Sequence, residues 1–157
     1  MGIRDGENND SFLEHIALGD TMKHWKSPCL KTLDLDSSHI NDDGMLALVE
    51  GMANCTNLES LNFARNDAIT EIGLRALSSL FQSKKLLLQS VKLESMSITN
   101  GGMTALAPGL ASLESLEWLD LSSNNIDDIG LEILATVFQC KKCSLQKVIS
   151  RWNENGR

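Results

Sequence analysis

The sequence of 157 residues lacks the features of a membrane protein, a secreted protein or a nucleic-acid binder. No apolar run approaches the roughly 20 residues that a bilayer-spanning helix needs. The N-terminal stretch MGIRDGENNDS is polar and contains no apolar signal core. Acidic residues outnumber basic ones by 21 to 14, and the net charge of −7 leaves no basic patch for phosphates. We therefore expect no membrane and no nucleic acid among its partners.

Catalytic motifs are also missing. The chain has no glycine-rich phosphate loop and no serine nucleophile motif. The acid pairs Asp42–Asp43 and Asp127–Asp128 recur at one position of a repeat, which favours helix-start residues over metal ligands or an acid–base couple. We predict that the protein is not an enzyme and uses no cofactor or metal.

Cysteine is scarce and badly spaced for a metal or redox site. Cys140 and Cys143 close a predicted helix, the end where the dipole does not lower a thiol pKa. A structural zinc site would need a second pair, whereas Cys29 and Cys55 are single. We interpret the cysteines as buried repeat residues, and free thiols predict a reducing, cytoplasmic location.

What the chain does contain is a repeat. An isoleucine stands four residues before a glycine in four places, and a spaced apolar triplet precedes each one. The triplets are Leu30/Leu33/Leu35, Leu58/Leu61/Phe63, Leu88/Val91/Leu93 and Leu116/Leu119/Leu121, with a partial copy at Leu145/Val148. The isoleucine–glycine pairs are Ile40–Gly44, Ile69–Gly73, Ile98–Gly102 and Ile126–Gly130. A period near 29 residues marks a solenoid, since one unit cannot bury its apolar face alone.

Each unit reads as a strand, a bend and a helix. Alternation in the triplets predicts short strands. The residue after each isoleucine is an N-cap type, namely Asn41, Thr70, Thr99 and Asp127. Apolar positions one, four and eight residues past each glycine then form a helical stripe that should face the strands. The pattern predicts a curved, right-handed α/β solenoid with about four full repeats and partial end units.

The bends are expected to differ among the units. Asn66 and Asn124 stand three residues past the triplet, where an amide can bond the backbone of a tight bend. Met96 occupies that position in the third unit and cannot do so, so we expect the third bend to be the least regular. The second unit carries one extra residue in the stretch 64–68.

The stretch LEWLDLSSNNIDDIGLEILATVFQCKKCSLQKV at 116–148 resembles the long leucine-rich repeat of the ribonuclease-inhibitor type. NOD-like receptors and the Ran GTPase-activating protein carry the same kind of repeat, and the resemblance extends over about 29–148. It implies a horseshoe segment with a parallel sheet on the concave side and helices on the convex side. It does not name a partner, because one fold hosts many functions.

The domain prediction is a disordered tail at 1–10 and one leucine-rich repeat domain at 11–157. Residues 11–28, which open with the capping box Ser11–Glu14, should form a covering helix. Repeats should start near 29, 57, 87 and 115, followed by a partial repeat at 144–157. That last edge has no predicted capping helix. Either its basic residues protect it, or the chain is one piece of a longer array, with further repeats or an end-to-end contact covering the edge.

Outward strand positions are the expected partner-binding site on the concave face. The candidates are Asp34, Asp36, Asn62, Lys92, Glu94, Trp118, Asp120, Lys147 and Arg151. Trp118 stands out because a polar residue is expected there, and exposed tryptophan often dominates interface energetics. Acidic residues at one end and basic residues at the other should orient a polar partner.

Two classes of function therefore stay open. The first is a non-catalytic module that binds a partner protein through the concave face. The second is a regulator resembling the Ran GTPase-activating protein, although the array is short and the tail 153–157 is hardly acidic. A third reading is a fragment of the sensor region of a NOD-like receptor.

Overall fold

The computed structural model describes residues 30–53, 55–83, 86–139 and 146–149. Strands and helices alternate through this part of the chain. The strands are β1 Thr32–Asp34, β2 Ser60–Asn62, β3 Ser90–Lys92, β4 Trp118–Asp120 and β5 Lys147–Ile149. The helices are α1 Asp42–Met52, α2 Glu71–Ser83, α3 Asn100–Leu110 and α4 Asp128–Gln139.

The five strands form one parallel sheet in the order β1-β2-β3-β4-β5. The middle member of each predicted triplet pairs with its counterpart in the next strand: Leu33, Leu61, Val91, Leu119 and Val148. Each helix returns the chain to the start of the next strand, as parallel pairing requires. The predicted α/β solenoid is confirmed.

The core lies between the sheet and the helices. The four repeat isoleucines are at most 4% exposed, and Leu61, Val91 and Leu119 are fully buried. The predicted helical stripe is buried on α1, α2 and α3. On α4 it is only partly buried, with Leu131 exposed and Phe138 half-buried, because no further described helix packs on the outer side of α4.

The isoleucine–glycine offset reflects a close approach at the starts of α2, α3 and α4. A Cβ atom added to Gly130 would lie 2.5 Å from the Asn100 Oδ1 and 2.5 Å from the Ile126 Cγ2. Gly73 is equally confined, by Asp42 and by Ile69. Glycine is therefore needed where the isoleucine of the same unit and a side chain of the preceding helix meet the first helical turn.

The predicted N-caps form at the helix starts. Asn41 accepts a hydrogen bond from the Gly44 N–H at 3.0 Å, and the Thr99 hydroxyl accepts one from the Gly102 N–H at 3.3 Å. Asp127 accepts one from the Ile129 N–H at 2.8 Å. The acid pairs lie in first turns or caps, as predicted.

One of these first-turn acids also links neighbouring units. Asp42 accepts hydrogen bonds from the backbone N–H groups of Thr70 and Gly73 at 2.8 and 2.9 Å, and from the Thr70 hydroxyl at 2.6 Å. A carboxylate of α1 thus satisfies free N–H groups at the start of α2.

In the second and fourth units, which we call even units, an asparagine side chain hydrogen-bonds the backbone of two bends, an arrangement that we call a clamp. The Asn66 Oδ1 accepts from the backbone N–H groups of Ser38 and Ile40 in the preceding unit, at 3.1 and 2.9 Å. Its Nδ2 donates to the carbonyls of Leu35, Phe63 and Ala64. Asn124 repeats this pattern on the backbone of the third and fourth units.

The expectation that the third bend is the least regular is therefore wrong. The backbone N–H groups of Met96 and Ile98 in this bend donate hydrogen bonds to the Asn124 Oδ1, each at 3.0 Å. The first bend is held by Asn66 in the same way. Among the first three bends, which the structure describes together with the units that follow them, the second lacks this clamp, because the clamp comes from the following unit and the Met96 side chain has no amide group. That bend carries the extra residue, and the Met96 side chain is buried in the core.

Several predictions fall outside the described residues: the tail, the covering helix, Cys29, Cys140, Cys143 and Arg151. Cys55 is buried, as expected for a repeat cysteine, and burial raises the pKa of its thiol. Among the helices of the described ranges, none has the length and apolar character to cross a membrane. In the same ranges, no three His, Cys, Asp or Glu side chains group together as metal ligands would.

Candidate protein-binding surface on the strand face

The outward side chains of the strands form two rows, which we call the strand face. Strand alternation places residues two apart on the same side. The first row is Thr32, Ser60, Ser90, Trp118 and Lys147, and the second is Asp34, Asn62, Lys92 and Asp120. Asp36, Ala64, Glu94 and Ser122 follow two positions later. The predicted site residues within the described ranges therefore lie on one surface.

Trp118 is the exposed aromatic residue of this face. Its side chain is 38% exposed, while its neighbour Leu119 is fully buried. The Lys147 ammonium lies over the Trp118 ring, 4.5 Å from the ring centroid, a cation–π contact. On the other side the register places the small Ser90, which leaves that part of the ring uncovered.

A cleft of about 380 Å³ adjoins this ring. It is lined by Gln89, Ser90, Glu117, Trp118, Gln146 and Lys147. The Gln146 amide donates to the Glu117 carboxylate at 3.3 Å, which closes one edge. The cleft offers an apolar wall beside one acid and one base, a setting suited to a partner side chain.

Three of the predicted site residues accept hydrogen bonds that hold the turns after their strands. Asp34 accepts hydrogen bonds from the Asp36 N–H at 3.1 Å and from the Asn62 amide at 3.0 Å. Asn62 is only 9% exposed and accepts from the Ala64 N–H at 3.0 Å. Asp120 accepts from the N–H and hydroxyl of Ser122, at 2.9 and 2.6 Å. These side chains hold the turns after β1, β2 and β4, so less of their hydrogen-bonding capacity faces a partner.

The charge gradient is weaker at its acidic end than the sequence predicts. Arg65 forms an ion pair with Asp36 and donates to the Ser37 hydroxyl at 2.8 Å. Arg65 was not among the predicted site residues. It stands 28 residues after Ser37, which is one repeat length, and this spacing could have predicted that the two residues are neighbours. Lys92 is exposed, and within the described ranges its ammonium has no ion pair. Glu94 is half-buried.

Sequence comparison identifies the repeat. The profile of the family described as Leucine Rich repeat matches residues 26–49, 54–78 and 112–135, which fall in the first, second and fourth units. The human protein "NACHT, LRR and PYD domains-containing protein 5" is 31% identical over 130 residues, which is 83% of this chain and 11% of that protein. The mouse "Protein NLRC5" is 29% identical over 127 residues, 80% of this chain and 6% of that protein. The chain thus spans about a tenth or less of the length of these relatives.

Structural comparison supports the same architecture. The solved structure titled "Leiomodin-1 Actin-Binding Site 2 (ABS2)" superimposes with a TM-score of 0.68 at 18% identity, covering 89% of this chain and 79% of that one. At this identity the likeness concerns the fold alone. With its repeat spacing, its parallel sheet and these relatives, the chain belongs to the leucine-rich repeat family, with repeats similar to those of NOD-like receptors.

Proposed function

We propose that this chain is a non-catalytic module whose strand face binds a partner protein, with Trp118 as the anchor. The observation that carries the proposal is the half-open Trp118 ring between Ser90 and Lys147, beside a cleft. Tryptophan offers a large contact area with little side-chain freedom to lose, and it is enriched among residues that dominate binding. Lys92 and Lys147 supply positive charge next to the ring for a carboxylate of the partner.

The relatives support a narrower version of this proposal. The printed name of the human relative, "NACHT, LRR and PYD domains-containing protein 5", combines leucine-rich repeats with NACHT and PYD domains. We propose that the chain corresponds to part of the sensor region of such a receptor, inside the cell. The GTPase-activating alternative has a separate readout, since stimulated phosphate release from a small GTPase would support it and replace the present proposal.

The first prediction tests the anchor. Trp118→Ala should weaken capture of partner proteins from a lysate about 30-fold or more, because an anchor of this kind contributes about 2 kcal/mol. Partners retained by each variant would be quantified by mass spectrometry. The melting temperature should change little, because the ring is partly exposed.

A matched control comes from the same repeat. Leu131 is 37% exposed, close to the 38% of Trp118, but it lies on helix α4 in the opposite layer. Leu131→Ala should therefore retain the wild-type set of partners. Identical sets from all three proteins would remove the strand face as the binding site.

A further inference from the structure

The junction between the second and third units departs from the repeat in three places. The bend of the second unit has one extra residue, and Met96 replaces the clamping asparagine. At the position three residues after the repeat isoleucine, α1, α2 and α4 carry the side chains Asp43, Ile72 and Ile129, whereas α3 has Gly101. These departures coincide on the edge of the solenoid where the helices begin.

A groove of about 480 Å³ lies at this junction. Its apolar lining includes Ile69, Leu74 and Ile98, which are at most 4% exposed, and the protruding Ile72, which is 62% exposed. Asp67 and Glu71 also line it. The groove therefore combines an apolar interior with two carboxylates.

Gly101 explains the position of one carboxylate. A methyl group at Gly101 would collide with the Glu71 carboxylate, so Glu71 extends over the start of α3 only because this residue has no side chain. Asp67 lies in the lengthened bend and is exposed. Both acids thus owe their place at the groove to local departures from the repeat.

The surroundings of the groove are acidic. The exposed carboxylates on the helix-start edge are Asp43, Asp67, Glu71, Asp128 and Glu132. Of the nearby basic residues in the described ranges, Arg65 is paired with Asp36, and Arg75 lies on α2 one turn after Glu71. A basic partner would be attracted to this edge, while an acidic one would be repelled.

We propose that this groove binds a segment of a partner protein in which one aliphatic side chain is flanked by lysine or arginine. The aliphatic side chain enters the groove and covers Ile72, removing apolar surface from water. The flanking cations pair with Asp67 and Glu71. This site is separate from the strand face, because none of its lining residues belongs to the strands.

The test uses the whole chain and a synthetic peptide array. Each fluorescent peptide has a central leucine with lysine or arginine at varied flanking positions. One matched set replaces the leucine with serine, and another replaces the basic residues with glutamate. Fluorescence polarisation should show binding to basic leucine peptides, with both matched sets at least about tenfold weaker.

Variants of the chain then locate the binding. Ile72→Ala should weaken binding of the best basic leucine peptide about tenfold, and Glu71→Gln should weaken it and reduce its dependence on salt. Ile129→Ala is the matched control, because Ile129 is 61% exposed at the same position of its helix. It should bind like wild type, and so should Trp118→Ala.

Three results would overturn the proposal. One is the absence of binding across the basic leucine array. Another is equal binding of the serine peptides, which would reduce the effect to charge alone. The third is an equal loss for Ile129→Ala and Ile72→Ala. Circular dichroism of each variant confirms that it is folded. Because the Trp118→Ala variant tests the strand face in a separate experiment, failure of the groove proposal can be told apart from failure of the strand-face proposal.

Discussion

At the scale of single residues, a few polar side chains each serve two units at once. Asn66 and Asn124 bond the bend of their own unit and that of the unit before. Asp42, in the first turn of α1, bonds backbone N–H groups at the start of the next helix, α2. Because the groups that they satisfy are backbone groups next to the core, losing one such side chain leaves several donors and acceptors without a partner at the same time.

Asn124→Ala should accordingly destabilise the protein by about 3 kcal/mol, since each buried unsatisfied group costs about 1–3 kcal/mol and some will reach water. Urea unfolding followed by circular dichroism measures this. The adjacent Asn125 has an exposed side chain. Asn125→Ala should change the free energy of unfolding by no more than about 0.5 kcal/mol. Equal losses for the two variants would mean that the clamp adds nothing.

Residue roles on the strand face were predictable in part. The two-residue period of side chains along a strand is enough to predict that Trp118 faces outward and Leu119 inward. It cannot show that Asp34, Asn62 and Asp120 bond the turns, since that depends on how far each bend folds back over its strand. The location of the irregular bend was mispredicted for a related reason: the amide acts on the preceding unit rather than on its own bend alone.

At the scale of the element, the helix starts were the best predicted feature. An N-cap residue works through bonds to backbone groups within three residues, so local sequence is enough to identify it. Burial of the helical stripe was less predictable. The same pattern is buried on α1 to α3 but partly open on α4, because burial depends on a neighbouring element rather than on the helix itself.

The start of α4 should make stability depend on pH. The Ile129 backbone N–H and the Asn100 side chain hold the pKa of Asp127 below its ordinary value of 3.8. The ionised form is thus favoured by folding, and its stabilising contribution is present above this value and is lost as the pH falls through the lowered pKa. Asp127→Asn should melt at a lower temperature than wild type at pH 7, with the gap shrinking as the pH falls below 3.8.

Calorimetry or circular dichroism melts from pH 7 to about pH 3 would follow that gap. Asp128→Asn is the comparison, because it removes the same charge from the same turn without removing the acceptor for the Ile129 N–H. The melting temperature of Asp128→Asn at pH 7 should therefore differ less from that of the wild type than the melting temperature of Asp127→Asn does. A gap for Asp127→Asn that stays constant with pH would contradict the role of the ionised carboxylate.

At the scale of the whole molecule, stability should be highest in the middle units. Each interior unit of a solenoid packs on two neighbours, and stability is close to a sum of such interfaces. Leu61, Val91 and Leu119 are fully buried, whereas Leu33 is half-buried and Val148 is 37% exposed. Hydrogen exchange should therefore be slowest in β2, β3 and β4.

Mass spectrometry of peptides covering each strand measures that order. Exchange in the central strands should be more than about tenfold slower than in β1 and β5, equivalent to about 1.4 kcal/mol of opening free energy. Uniform protection would instead show that the array opens only as a whole. The architecture was predictable because the same strand-and-helix pattern recurs in every repeat of the sequence. The groove between the second and third units was not, because it depends on three irregular positions that come together only in the folded structure.

The alternating clamps have a consequence for how such a chain can grow. Leu33 and Leu61 are 28 residues apart and Leu61 and Val91 are 30, yet Leu33 to Val91 and Leu61 to Leu119 both span 58 residues. Asn66 in the second unit clamps the first bend and Asn124 in the fourth unit clamps the third, so across the first four units the clamp recurs once per pair of units. Duplication of such a pair keeps each clamped bend next to its asparagine, whereas insertion of a single unit without that asparagine directly before the second or the fourth unit would leave the original first or third bend unclamped.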